Sequence, residues 1–329
     1  MSEQRQNNSL VPVPGENDPN SDNPTSRQPE NMQQLLRLTL DATGNNEQAN
    51  YNPLSEESRK WLNAALSDMS TNVIEELSKG IKVLEGVSNI TDRDSPEEFE
   101  RALDIITSYV DNMDISNDFH KIGGFTIFDP LLSSPHPCLR SKAANLIAEV
   151  TQNNVYCQSR ITHLFPKLLE MVRDDPEPEV KVKALYALSC SLRDYPPSLE
   201  YIVKHDGFGV LLSAMQSNIE KLQIKAAFLL SALCSESNAV KEHVIERKMI
   251  DHLAELLTKK DQPYEHMLAA LLSIVRDHPQ AQEECKRPEL YFYNTLIKLR
   301  EHSIIYENLD QRQHCQELLT LLYNETFYS

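Results

Sequence analysis

From residue 96 onward the hydrophobic positions fall into a pattern that repeats along the chain. With one frame placed on Ala102, Ala143, Ala184, Ala226 and Leu268, successive steps are 41, 41, 42 and 42 residues. Three residues on stand Ile105, Leu146, Ala187, Leu229 and Leu271, and four on stand Ile106, Ile147, Leu188, Leu230 and Leu272. Seven on stand Tyr109, Val150, Ser191, Leu233 and Val275, with Ser191 the one polar departure. Apolar residues at i, i+3, i+4 and i+7 make one helix face. The small residue opening most frames suits close approach of neighbouring helices.

A second series keeps the same time. Helices are predicted to open at Phe125, Phe165, Phe208, Ile250 and Phe292, reading FTIFDPLL, FPKLLEMV, FGVLLSAM, IDHLAELL and FYNTLIKL. Shorter, more polar segments precede them, such as 117–122, 156–162, 198–205 and 239–247. Three helices in roughly 42 residues is the beat of an armadillo-type α-solenoid, in which stacked units bury one continuous core. The expected fold is therefore all-α, with about four repeats over 96–291. Capping helices are expected at 51–95 and 292–329. The N-terminal cap reads as two helices, 55–69 and 72–87. The run Ser95-Pro96-Glu97-Glu98 reads as a capping-box helix start.

The first 50 residues read differently. Residues 1–31 hold six Asn and five Pro, with Met1, Leu10, Val11 and Val13 as the apolar positions. So little apolar surface cannot offset chain entropy, and a disordered tail is expected. Within it lies one apolar island, 32–42 (MQQLLRLTLDA), followed by a polar linker. Leu35, Leu36 and Leu38 make it either a docking peptide or a helix that packs back on the main domain.

Composition then narrows the chemistry. With 49 acidic and 32 basic residues the formal charge is −17, which repels phosphate backbones and argues against nucleic acid as a partner. No run of 18 apolar residues is present, and the N-terminus lacks a secretory pattern. The six cysteines are far apart, with no CxxC pair, which predicts a reducing compartment, cytosol or nucleus, and gives the sequons at Asn89 and Asn324 little meaning. No phosphate-binding glycine loop, G-x-S-x-G or H-E-x-x-H occurs. His136-Pro137-Cys138 reads as an inter-helix turn rather than a Cys/His site. Neither catalytic residues, nor a metal site, nor a cofactor is expected.

What the repeats offer instead is a surface. In solenoids of this type the third helices line the concave side. One residue before each frame stand Lys142, Lys183 and Lys225; two after it stand Asn145, Tyr186 and Phe228. Six after come Glu149, Cys190 and Ala232, and nine after come Gln152, Arg193 and Ser235. These offsets share one helix face. Aromatics flanked by cations in an acidic protein suit a binding surface. The competing reading has Tyr186 and Phe228 filling inter-repeat core.

Several blocks carry a family resemblance: NMQQLLR at 31–37, LSEESRKWL at 54–62, VKALYALSC at 182–190, LQIKAAFLL at 222–230 and EECKRPEL at 283–290. They resemble the animal heat-shock-chaperone-binding protein family, which includes the fungal Fes-type factors, from residue 31 to the C-terminus. The resemblance implies a co-chaperone whose concave face embraces the ATPase domain of the seventy-kilodalton heat-shock chaperone and promotes ADP release; a monomer is expected. It implies contacts from Arg140, Lys142, Asn145, Glu149, Lys183, Tyr186, Lys225 and Phe228. By the same resemblance, the island at Leu35, Leu36 and Leu38 would compete for the chaperone's substrate cleft. The alternative is an armadillo adaptor or scaffold for an extended peptide or another protein.

Overall fold

A computed structural model describes residues 56–259 and 264–325. The chain divides into two compact units, 1–62 and 63–329. The apolar island at 32–42, with Leu35, Leu36 and Leu38, lies outside the described residues, as does the expected tail. Of the first unit, the described part is the opening of helix α1 (Glu56–Leu84). The second unit holds everything that follows.

Helix α1 runs on without a break and leads into a 3-10 turn at Glu85–Asn89. The two separate helices expected at 55–69 and 72–87 are therefore one. Ser70, Thr71 and Asn72 are polar, but none is a Gly or Pro, so the interruption in the apolar pattern does not interrupt the backbone. Leu77, Ile81 and Leu84 are buried, and Gly80 lets α1 approach helix α2 (Glu97–Thr107) closely. A Cβ there would stand 3.0 Å from Ile106. At the start of α2 the expected capping box is not formed: the helix begins at Glu97 with Pro96 in the cap position, and Ser95 Oγ accepts from the Glu97 N–H at 3.4 Å rather than from Glu98.

Five three-helix sets follow. They are α3 (Met113–Lys121), α4 (Phe128–Leu132) and α5 (Pro137–Thr151); α6 (Val155–Gln158), α7 (Phe165–Asp174) and α8 (Pro178–Leu192). Next come α9 (Pro196–Lys204), α10 (Gly207–Met215) and α11 (Glu220–Glu236), then α12 (Asn238–Glu246), α13 (Met249–Leu256) and α14 (Tyr264–Val275). The last set, α15 (Pro279–Cys285), α16 (Phe292–Ile305) and α17 (Leu309–Tyr323), includes the segment expected to cap the solenoid. No strand occurs among the described residues. The expected turn at 136–138 is a helix start: Pro137 opens α5 and His136 precedes it, where a proline's missing N–H costs nothing.

The third helices stack in a row, α2 on α5, then α8, α11, α14 and α17. Their frame residues form the core. Ala143, Ala184, Ala226 and Leu268 are buried, together with their i+3, i+4 and i+7 partners, Ser191 included. Ser191 is accommodated because its hydroxyl donates to the Ala187 carbonyl at 2.6 Å. Two positions of the first frame depart: Ile105 on α2 is 44% exposed, and Tyr109, just past the end of α2, is half-buried. As first member of the row, α2 lacks a third-helix neighbour on one flank. On α17 the same face returns as Cys315, Leu318, Leu319 and Leu322, all buried. It comes 47 residues after Leu268, because α16 has 14 residues where α13 has 8.

The turns repeat as well. The residue before the second helix adopts positive φ at Asp206, Lys248 and Tyr291, and Gly123 does so before the 3-10 turn (Gly124–Ile127) that leads into α4. Three of the first helices begin under side-chain caps: Asn112 accepts from the Asp114 N–H, Asn154 from Cys157, and His278 Nδ1 from Ala281. Buried first-helix side chains also satisfy the free carbonyls at third-helix C-termini. Gln158 Nε2 donates to the Cys190 and Arg193 carbonyls at 2.9 Å each. Lys241 Nζ donates to Arg276 O at 2.7 Å.

Candidate functional site

The offsets read from sequence describe a real ladder, in which each lysine touches the preceding repeat. Lys142 Nζ on α5 donates to Asp104 on α2 at 2.5 and 2.6 Å, with Glu100 at 3.7 Å. Lys183 Nζ on α8 donates to Asn145 Oδ1 on α5 at 2.9 Å. Lys225 Nζ on α11 stands 4.9 Å above the ring centre of Tyr186 on α8. Thus the residue one before the frame always meets the residue two after the previous frame. The repeat step brings them together, since stacked helices of equal pitch keep their offsets in register.

The aromatic residues are gripped from the other side by the residue nine after the frame. Tyr186 Oη donates to Gln152 Oε1 at 3.4 Å, and the Arg193 guanidinium lies 5.8 Å from the Phe228 ring centre. Burial, helped by Cys190 and Glu149, pushes the Tyr186 hydroxyl up to about 12, so it remains a neutral donor. Tyr186 is half-buried between repeats, whereas Phe228 is 56% exposed. The two readings of the aromatic row thus divide: Tyr186 fills an inter-repeat seam, and Phe228 faces out. Beyond α11 the row ends, because Met267 and Ala270 take the corresponding places on α14 and both are buried.

Arg140 does not belong to this face. Its guanidinium makes a two-pronged contact with Asp175, Nε to Oδ2 at 2.8 Å and Nη2 to Oδ1 at 2.9 Å. Nη1 donates to the Ser134 and Pro135 carbonyls. The two side chains are 12% and 5% exposed. With its donors engaged inside the fold, Arg140 clamps consecutive sets rather than reaching a partner. Lys142, held by two carboxylates, has most of its charge answered internally. Asp104 was legible, since it holds the +2 place of the first frame. Asp175 was not, since nothing local in sequence marks it as the partner of a residue 35 positions earlier.

No group of three or more His, Cys, Asp or Glu stands close enough to hold a metal ion among the described residues. Burial keeps the thiols protonated: Cys157, Cys234, Cys285 and Cys315 are pushed up to about 12, and Cys138 to about 11. Thiol reagents react with the thiolate. The folded chain at pH 8 is therefore expected to release little chromophore from Ellman's reagent, and all six cysteines to react once denatured. Rapid labelling of several thiols in the folded state would contradict this burial.

Among proteins of known kind, the SIL1/FES1/HPBP1 C-terminal domain model matches residues 115–247, the stretch that carries the ladder from α5 to α11. The chain is 33% identical over 308 residues to Hsp70-binding protein 1 of Mus musculus, covering 89% of this chain and 84% of that protein. It is 32% identical over 310 residues to Hsp70-binding protein 1 of Homo sapiens, covering 89% and 86%. The Hsp70 nucleotide exchange factor FES1 of Coccidioides immitis is 34% identical over 105 residues, covering 31% of this chain and 50% of that protein. A designed armadillo repeat protein solved in complex with a peptide superposes with a TM-score of 0.60 at 15% identity, over 74% of this chain and 98% of the other. That likeness establishes the armadillo-type solenoid fold. On the sequence matches, which run nearly the length of both proteins, the chain belongs to the Hsp70-binding protein 1 family.

Proposed function

We propose that this protein is an Hsp70 co-chaperone that works by binding, not by catalysing a reaction. The third-helix face around α8 and α11 grips the ATPase domain of Hsp70 and favours its opened form, from which ADP escapes. The observation that carries this reading is the match over 89% of the chain to a relative named Hsp70-binding protein 1. The name of the fungal relative, a nucleotide exchange factor, supplies the exchange step. The face itself supports the reading, since it gathers Lys183, Lys225 and Arg193 around Tyr186 and Phe228 in a chain of charge −17. A cationic row of this kind also disfavours the adaptor alternative for any basic peptide. The protein acts as a monomer in the cytosol or nucleus, consistent with its unpaired thiols.

The energetic logic is linkage. A factor that binds the opened ATPase domain better than the ADP-closed one weakens ADP by the same ratio, and one that binds both equally exchanges nothing. Calorimetric titration of the ATPase domain into this protein, with and without saturating ADP, tests the proposal. Binding that weakens when ADP is present is expected. Equal affinity in both titrations would remove the exchange function, and no binding in either would remove the Hsp70 assignment.

A further inference from the structure

Turns at the surface of a fold ordinarily show polar side chains to water. The turn between α16 and α17 does the reverse, because its polar groups are spent on holding it in place. The Tyr306 N–H donates to His302 O at 3.1 Å, and the Asn308 N–H to Ser303 O at 2.9 Å. Asn308 Nδ2 donates to Glu265 on α14 at 2.8 Å, while its Oδ1 accepts from the Gln311 N–H at 2.9 Å and caps α17. Gln311 Nε2 donates back to the Leu299 carbonyl at 2.7 Å. The Tyr306 ring leans on the His302 ring, with centres 4.3 Å apart. What this frame turns outward is Ile304, Ile305, Tyr306 and Leu309, each 56–75% exposed. Ten large hydrophobic side chains are exposed among the described residues, and four of them fall within these six positions. The core does not need them, since α16 and α17 bury Leu296, Leu299, Leu318 and Leu322 on their other faces.

We infer that the α16–α17 turn is a second docking site, and that it takes a short segment of a partner chain whose apolar side chains are flanked by Lys or Arg. Clustered apolar side chains on an outer surface mark an interaction site, and the internal bonds of this turn fix them before any partner arrives, which lowers the entropy lost on docking. Size and charge then select the occupant. At their observed exposure the four side chains present on the order of 500 Å², short of the roughly 800 Å² that each partner buries in a stable complex of folded proteins. That suits a short segment and is too little to hold a second copy of this chain. Residues 301–310 include Glu301, Glu307 and Asp310, all exposed, and no Lys or Arg; Arg300 and Arg312 lie just outside. Two such turns would repel each other in chains of charge −17, and an anionic lipid surface would be repelled as well. A cationic apolar segment is attracted on both counts. The site is separate from the ladder, because α14 stands between α11 and α17 in the row, which places α17 roughly 20 Å from α11. It does not depend on the Hsp70 reading.

Fluorescence anisotropy of two labelled synthetic peptides, titrated with the full chain, tests this. One peptide sets a run of Leu and Ile between pairs of Lys; the other keeps the Lys pairs and has Ser in place of every Leu and Ile. The apolar peptide is expected to bind at least about 10-fold more tightly than the Ser peptide. The double variant Ile305→Ser/Leu309→Ser is expected to abolish that preference. Glu307→Gln/Asp310→Asn is expected to weaken binding about 3-fold and to flatten its salt dependence. All four positions are exposed, so circular dichroism of both variants is expected to match the parent. The inference is overturned if neither peptide binds, if the two bind alike, or if Ile305→Ser/Leu309→Ser binds the apolar peptide as tightly as the parent does. It is overturned as well if sedimentation shows a dimer that this variant loses, or if the parent floats with phosphatidylcholine vesicles and the variant does not. A second copy or a lipid surface would then be the occupant.

Discussion

Replacing Arg140 by alanine is expected to lower the stability of the fold by about 3–5 kcal/mol, the loss typical of a buried ion pair deprived of one partner. The cost is high because the guanidinium answers three acceptors at once. Without it, Asp175 is a nearly buried carboxylate left with the Glu177 N–H at 3.0 Å, and the Ser134 and Pro135 carbonyls lose a donor. The position matters as much as the burial. Arg140 stands on α5, the third helix of one set, and Asp175 follows α7, the second helix of the next. In a solenoid, stability is a sum of repeat terms and nearest-neighbour interfaces, so weakening this interface is expected to broaden the urea transition as well as shift it. Replacing both residues by apolar side chains of similar size is expected to cost less than Arg140→Ala alone, since no charge is then stranded. Urea denaturation followed by circular dichroism checks both statements. A loss below about 1 kcal/mol, as for a surface pair, would show that the clamp is solvated.

The second large effect is expected in the first three-helix set. Phe119, Phe125 and Phe128 form a buried aromatic cluster, with ring centres 6.0 Å apart for Phe119 and Phe125 and 5.1 Å for Phe125 and Phe128. The Phe119 ring is fully buried and lies against Gly124, where an added Cβ would stand 2.3 Å from the ring edge. Phe119→Ala is expected to cost about 3–5 kcal/mol through lost burial and the cavity left behind. Gly124→Ala alone is expected to cost about 1–3 kcal/mol, because its methyl group has no room beside a ring held by neighbours on every side. In the Phe119→Ala background the same methyl enters the cavity, so the second substitution is expected to be close to neutral. A double-mutant cycle reads this as a coupling of about 1–3 kcal/mol. Additive losses would mean that the ring and the glycine do not touch.

The regular part of the fold was legible because it depends on period alone. Alanines and leucines at 41- and 42-residue steps identify the third helices, and the buried residues found there are those the frame named. The same arithmetic placed Lys183, Tyr186, Lys225 and Phe228 on one face, because register between stacked helices is preserved from repeat to repeat. What the frame could not give was any interaction that joins one repeat to the next off the helix face. The resemblance named Arg140 as a contact, and its internal partner was hidden because Asp175 sits in a loop whose path is set by tertiary packing. Lys142 looked equivalent to Lys183 and Lys225, although its charge is answered by Asp104 and Glu100. The continuity of α1 through Ser70, Thr71 and Asn72 shows a related limit: polar residues end an amphipathic pattern without ending a helix. The displaced frame at Cys315 has a simple cause in the longer α16. Its added turn carries Ile304 and Ile305, both exposed, which breaks the spacing by which the other frames were found.

We propose that this chain opens the nucleotide site of Hsp70. The most direct measurement is stopped-flow release of fluorescent ADP from purified Hsp70, chased with excess unlabelled ATP and repeated at rising concentrations of this protein. The release rate is expected to climb with concentration and saturate, with Phe228→Ala shifting the curve to higher concentration. A release rate that stays flat while binding to Hsp70 is demonstrated in the same preparation would contradict it.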